Sequence, residues 1–381
     1  MRSRPLLHGA VVALIGFASA FAIVLAGLRG VGATDEQATS GLLALTVLAA
    51  LLSIALSFRY RIPIKIAWST PGAALLVAAG LQGGGYPAVI GAFIAAGALT
   101  VASGLWPAMT RAIAAIPGPV ASGLLAGVLL PICLAPAKAA VDVPAIALPM
   151  IAVWLAVTIR APRWAIPAAL VVVLVGVSID PVDSNVAPGL APSLQWVTPT
   201  FDLGTIVGLG VPLFIVTMVS QNVTGVTVLA NRGYEAPLRP VLTTTGAATA
   251  AFAPFGVHGV NLAAITADMI AGPDSDPDPA QRWQASVGAG LMYIVLGLAA
   301  GLATTLLGAS PPVLIDAVAG LGMLATLATA LRSATEVDEQ RDAAIVTFVV
   351  TASGINVAGV SAPFWGLVAG LVVLGLRRKN A

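Results

Sequence analysis

Apolar runs recur along the whole chain, separated by short clusters of charge, Gly and Pro. In the first half they predict spans over 9–28, 40–57, 64–80, 86–105, 118–134, 144–159 and 164–179. In the second half they predict spans over 204–228, 240–254, 256–271, 284–306, 311–331, 342–354 and 357–376. Several runs fall short of the roughly 20 residues that cross the hydrocarbon core as one helix. Two of the short ones are interrupted by small and polar residues. The first break is Ala67-Trp68-Ser69-Thr70-Pro71-Gly72-Ala73-Ala74; the second is Val257-His258-Gly259-Val260-Asn261-Leu262-Ala263-Ala264. A broken helix is tolerated in a bilayer only where its backbone is buried in protein or lines a cavity. Matched breaks in the two halves of a chain point to a transporter's substrate site.

Composition supports the same class. The chain is 58% hydrophobic and 9% charged, against about 25% charged for a soluble domain. The predicted fold class is therefore an all-α polytopic membrane protein. The basic start, Met1-Arg2-Ser3-Arg4, precedes an apolar run longer than a signal peptide's core of about 7–15 residues. It reads as the first transmembrane helix.

Charge position gives the orientation. With the N-terminus in the cytoplasm and the spans alternating, only Arg29 and Lys138 of the 18 basic residues fall outside. The cytoplasmic set includes Arg59, Arg61 and Lys65, so no Lys or Arg is left at membrane depth. Such bias is the positive-inside pattern, and it puts both termini in the cytoplasm. Asp35, Glu36, Asp142, Asp180, Asp183 and Asp202 fall outside; the acidic loop 274–279 falls inside, where acids count little. Seven segments per half make the halves inverted: a first repeat over 1–179, a connecting outer loop over 180–203 and a second repeat over 204–381.

Candidate chemistry is sparse. Cys133 stands alone in an apolar run and reads as a small buried hydrophobe. No metal-ligand pattern, cofactor motif, nucleophile–base set or basic stripe with interleaved aromatics is found. This argues against an enzyme and against nucleic acid. Ionisable residues at membrane depth are functional candidates by default, and the spans leave His258, Asp268 and Asp316. His258, inside the second break, is a proton-coupling residue or a tie for broken backbone. Asp268 lies near the cytoplasmic boundary as a second coupling candidate; Asp316 reads as an interfacial acid. Asn261 reads as a helix N-cap, a role compatible with substrate contact. Pro71, behind Ser69 and Thr70, suits the first turn of a helix. Two half-helix N-termini, near Gly72 and Leu262, would then offer N–H groups to an anion. Gly259 flanks that site. Ser220-Gln221-Asn222 is a polar island within a span, suited to interhelical hydrogen bonds or, through Gln221 and Asn222, to substrate. Phe17, Phe21, Trp68 and Phe255 could form an aromatic wall.

These residues carry a resemblance. Ser220-Gln221-Asn222, Ala230-Asn231-Arg232-Gly233-Tyr234, Ala253-Pro254-Phe255-Gly256 with His258, and Asn261 to Ala267 resemble the bacterial benzoate–proton symporter family (BenE type). So do Pro63 to Ala73, and Pro277-Asp278-Pro279-Ala280 with Arg282. The resemblance covers essentially the whole chain. It implies an inner-membrane carrier that takes up benzoate with a proton, and kinship in fold with nucleobase-cation symporters and sulfate and bicarbonate carriers. It also implies seven-plus-seven inverted repeats, a core and a gate domain, and short strands leading into half-helices in segments 3 and 10. Nucleobase relatives carry acids at the positions of Gln221 and His258; their absence here favours an anion. The chain departs from the family pattern at Val257, Gly259 and Thr224, where Gly, Ala and Pro are usual. The expected partners are benzoate or a similar aromatic carboxylate, a proton and the lipid bilayer, and a homodimer is left open.

Overall fold

The computed structural model describes residues 1–106, 108, 109, 111, 116–179, 193–301, 310–357 and 360–380. The connecting loop expected over 180–203 lies outside the described residues as far as 192, and so does the part of the 284–306 span beyond 301.

Helices dominate. In chain order they are α1 (Ser3–Gly30), α2 (Asp35–Tyr60), α3 (Thr70–Ala79), α4 (Gly85–Leu105), α5 (Gly118–Cys133), α6 (Ala135–Asp142), α7 (Pro144–Arg160) and α8 (Ala165–Ile179). The long α9 (Leu203–Asn231) follows, then α10 (Leu238–Phe252), α11 (Ile265–Ala271), α12 (Trp283–Leu298), α13 (Pro312–Thr335), α14 (Asp338–Ala352) and α15 (Ala362–Asn380). Seven stretches among the described residues are helical, long and apolar enough to span a membrane; shorter apolar helices accompany them. The chain is a multi-pass helical membrane protein. Two elements were not expected from the hydropathy: α6, and a small hairpin of β3 (Asn356–Val357) and β4 (Val360–Ser361).

Packing follows small residues. A Cβ on Gly9 would lie 1.9 Å from the carbonyl oxygen of Ala285, and one on Gly27 would lie 2.5 Å from that of Ala73. These glycines let α1 approach α12 and α3 at backbone distance, as membrane helices do without a hydrophobic drive between them. α1, α2 and α12 pack together, as do α4 and α10, while α5 packs with α13 and α14, and α14 with α15.

The two breaks meet. β1 (Ile66–Trp68) and β2 (Val260–Leu262) form an antiparallel pair, with Ile66 opposite Leu262, Ala67 opposite Asn261 and Trp68 opposite Val260. Backbone bonds extend it at both ends: Ser69 N–H donates to Gly259 O at 3.1 Å, and Ala263 N–H to Lys65 O at 2.8 Å. Each break thus satisfies the other's backbone, which nothing in hydrocarbon could do. Strand-to-half-helix geometry agrees with what the family resemblance implies.

Candidate functional site

A cavity of about 220 Å³ lies against the crossed strands. Its walls are Ala67 and Trp68 of β1, Thr70 and Pro71 of α3, Gln221 of α9, and Ala263, Ala264, Thr266 and Met269 around α11. Val12, Ile15, Gly16, Ser19 and Ala20 of α1, Tyr293 of α12, and Gly322, Met323 and Thr326 of α13 complete it. Among the described residues no Asp, Glu, Lys, Arg or His lines it. A second cavity of about 240 Å³ shares Thr326 and adds the hydroxyls of Ser122, Ser220, Thr224, Thr329 and Ser333.

Four aromatic rings support one wall. Phe17 stacks on Phe21 at 5.3 Å, Phe17 meets Trp68 edge-on at 5.7 Å, and Trp68 stacks on Tyr293 at 5.5 Å. Trp68 and Tyr293 face the cavity, whereas Phe17, which meets Trp68, and Phe21, which stacks on Phe17, do not line it. Phe255 belongs elsewhere. It packs on Trp196 and Phe252, and its carbonyl accepts from Ser40.

The polar residues divide by what they touch. Ser69 caps α3: its Oγ accepts from Gly72 N–H at 3.0 Å and pairs with the Thr217 hydroxyl at 2.8 Å. The carbonyl of Ser69 accepts from Ala73 N–H at 2.8 Å, and Pro71 has no N–H. The first turn of α3 therefore has fewer free donors than a bare helix end, and Ser69 and Gly72 are spent inside it. Thr70 remains at the cavity with no side-chain hydrogen bond among the described residues.

Asn261 is not a helix cap. It sits in β2, and the residue preceding α11 is Ala264, which offers no side-chain bond. Strand pairing moves the start of the half-helix past Leu262, so Leu262 is a paired strand residue rather than a helix end. The Asn261 Nδ2 donates to Leu262 O at 3.0 Å, and its buried Oδ1 has no partner among the described residues. Asn222 is fully buried, and its Oδ1 accepts the Leu262 N–H at 3.0 Å. It therefore ties α9 to β2 and does not line the cavity. Its neighbour Gln221 does line the cavity and makes no side-chain hydrogen bond among the described residues. A π-helical stretch, Met218–Val223, spans both residues, a local feature frequent at functional sites.

His258 is buried behind the strands, edge-on to Phe93, and does not line the cavity. Its Nε2 lies 3.1 Å from Ser69 O. A carbonyl only accepts, so Nε2 carries the hydrogen. Nδ1 is then a buried acceptor without a donor among the described residues. Gly259 contributes its carbonyl to Ser69 N–H. Asp268 lies outside the cavity, in a two-pronged ion pair with Arg232 at 2.8 and 3.0 Å. Both partners are substantially exposed.

Two site residues escaped the sequence reading. Tyr293 looks like any aromatic in a span until it is seen stacked on Trp68. The charge count placed Lys65, at the start of the 64–80 span, on the cytoplasmic side, yet its side chain is completely buried. Its one signal was local: it sits two residues before the break at Ala67, inside the Pro63 to Ala73 stretch that carries the family resemblance.

Paired strands leading into half-helices beside a cavity, within a bundle of apolar helices, define the class as a membrane transport protein. Among the described residues no group of His, Cys, Asp and Glu could hold a metal ion. The family described as benzoate membrane transport protein (BenE) matches residues 2–376, and the chain belongs to it. The inner membrane protein YdcO of Escherichia coli (strain K12) is 40% identical over 97% of this chain and 96% of its own length. The benzoate membrane transport protein of Acinetobacter baylyi (strain ATCC 33305 / BD413 / ADP1) is 28% identical over 96% and 92%. In fold, the chain is similar to the transmembrane domain of the cyanobacterial bicarbonate transporter BicA. The TM-score is 0.63 at 16% identity, covering 97% of this chain and 98% of that one. It is also similar to SLC26A9, with TM-score 0.65 at 14% identity, covering 98% of this chain and 64% of that one.

Proposed function

We propose that the chain is a proton-coupled symporter that brings benzoate, or a related aromatic carboxylate, across the inner membrane. The observation that carries this reading is the cavity itself. It offers stacked aromatic faces at Trp68 and Tyr293 for a ring, and Gln221 and Thr70 as unengaged polar groups for a carboxylate. Among the described residues no acidic side chain lines it to repel an anion. The benzoate transport family and the Acinetobacter relative agree with that chemistry. The Escherichia coli relative's description supports the inner membrane.

The architecture proposed with it is fourteen segments in two inverted repeats of seven, joined by the loop 180–203. A core around α1–α4 and α9–α12 would move against a gate of α5–α8 and α13–α15, with the cavity at its edge. Both termini would be cytoplasmic; the charge asymmetry persists after Lys65 is taken out of the cytoplasmic set. His258 is the proposed proton site. Its Nδ1 is the open position, and its Nε2–H bond to Ser69 O would pass a change of charge to the cap of α3.

The test is uptake of labelled benzoate into proteoliposomes with and without an inward proton gradient. Accumulation above equilibrium only with the gradient is expected. Equal uptake in both conditions would refute symport and leave an uncoupled anion carrier.

A further inference from the structure

Among the described residues Lys65 is the one buried cation next to the strand pair, and the proton-coupled reading gives it no task. Its side chain is fully enclosed. The Nζ donates to Ile66 O at 3.1 Å and lies 3.5 Å from the centroid of the Tyr293 ring. That carbonyl is shared, since Ser53 Oγ also donates to it at 3.1 Å. The Ser57 hydroxyl is spent on Ile64 O. Among the described residues no carboxylate pairs with Lys65. An ammonium with three donors and no counter-ion is costly at this depth.

The ring it touches leads to the cavity. Tyr293 is almost wholly buried, lines the cavity and stacks on Trp68. Its hydroxyl makes no hydrogen bond among the described residues. A cation over a phenol face is attracted to the ring, and it draws electron density from it, so the O–H becomes a stronger donor. Linked polar groups in a low-dielectric interior polarise one another in this way.

We propose that Lys65 and Tyr293 form the anion-selective element of the site. Tyr293 donates its hydroxyl hydrogen to the substrate carboxylate, and Lys65, behind the ring, polarises that donor and supplies the missing positive charge. Tyr293 is a binding residue and Lys65 a positioning residue that acts through it. The arrangement lets the cavity prefer an anion although no cation among the described residues lines it. The inference rests on the benzoate reading and names the groups that would make the site select a charged acid.

The experiment compares benzoate with benzamide, a neutral analogue of similar shape, by equilibrium binding to the purified full-length protein in nanodiscs. In Lys65→Met the dissociation constant for benzoate should rise roughly 10–100-fold, the scale of one unscreened charge several ångströms away, while benzamide affinity stays at its wild-type value. Lys65→Arg should restore most of the benzoate affinity. Tyr293→Phe should weaken benzoate binding and reduce the further effect of Lys65→Met. Equal losses for the two ligands in a folded Lys65→Met protein, or unchanged benzoate affinity, would overturn the inference alone. Failure of Lys65→Arg to exceed Lys65→Met would overturn it too. A wild-type protein that binds no benzoate would overturn the substrate reading and this inference with it.

Discussion

Replacing Asn222 with Ala separates a structural tie from a substrate contact. Its Oδ1 accepts the Leu262 N–H at 3.0 Å, and both residues are fully buried. Removing the acceptor leaves a strand N–H with no partner, which costs about 1–3 kcal/mol. The contact of Nδ2 with Met218 Sδ at 3.4 Å is lost as well, a weak term. Gln221→Ala, one position earlier, removes an amide that faces the cavity without a protein partner, so its effect on folding stability should be within about 0.5 kcal/mol. The assay is thermal unfolding of the two variants in detergent, followed by benzoate uptake across a concentration series. Asn222→Ala should unfold several degrees lower, with the half-saturating concentration of its surviving fraction near wild type. Gln221→Ala should unfold at the wild-type temperature and need more benzoate. The reverse pattern, a stable Asn222→Ala with weakened uptake, would refute the assignment of Asn222 to β2.

Three further outcomes follow from the geometry. A Cβ at Gly72 would lie 2.7 Å from both Ser69 Oγ and Leu213 Cδ1, so Gly72→Ala should displace the cap of α3 and lose about 0.5–2 kcal/mol, read as a lower unfolding temperature. Asp268 and Arg232 form an exposed pair, worth about 0–1 kcal/mol; Asp268→Asn should leave the proton dependence of uptake unchanged, and its loss would return Asp268 to the coupling machinery. Asp202, at the start of α9, accepts from the Thr205 hydroxyl and N–H, which hold its carboxyl below the usual carboxylate range. That stabilisation is present above the unfolded value near 3.9 and fades as pH falls through the lower folded value; the unfolding temperature of wild type should exceed that of Asp202→Ala at neutral pH, and the gap should close in strong acid.

Span positions were legible because apolar runs and their punctuation are local properties. The ends of α2, α4, α5 and α7 fall within a few residues of the hydropathy boundaries. The two breaks were legible because small polar residues in a hydrophobic run are rare. What the sequence hid was pairing. Asn261 reads as a cap when its neighbours are considered alone, and becomes a strand residue once Ala67 is found opposite it. Lys65 follows the same logic: charge assigns it to the cytoplasmic edge of its span, while extended pairing with Ala263 draws it inward. Asn222 and Gln221 are adjacent and chemically alike, and only the path of α9 decides which faces the cavity and which faces β2. The aromatic wall was half visible: Trp68 faces the cavity, its partner Tyr293 lies far along the chain, and Phe255 packs against Trp196 instead.

The pairing of β1 with β2 also constrains how the protein is made. β1 leaves the ribosome long before β2, and its partner residues for Ile66, Ala67 and Trp68 do not yet exist. During that interval a stretch of backbone with unmet N–H and C=O groups, carrying a lysine, cannot rest in lipid. The first half must therefore keep this segment sheltered, in water or in the insertion machinery, until Val260 to Leu262 arrive. Closing so long a loop adds an entropic cost that grows only slowly with length, so the delay is kinetic rather than thermodynamic. Biogenesis intermediates cut before β2 should hold the first half-helix outside the bilayer core, and the cavity beside the strand pair would form only after β2 arrives.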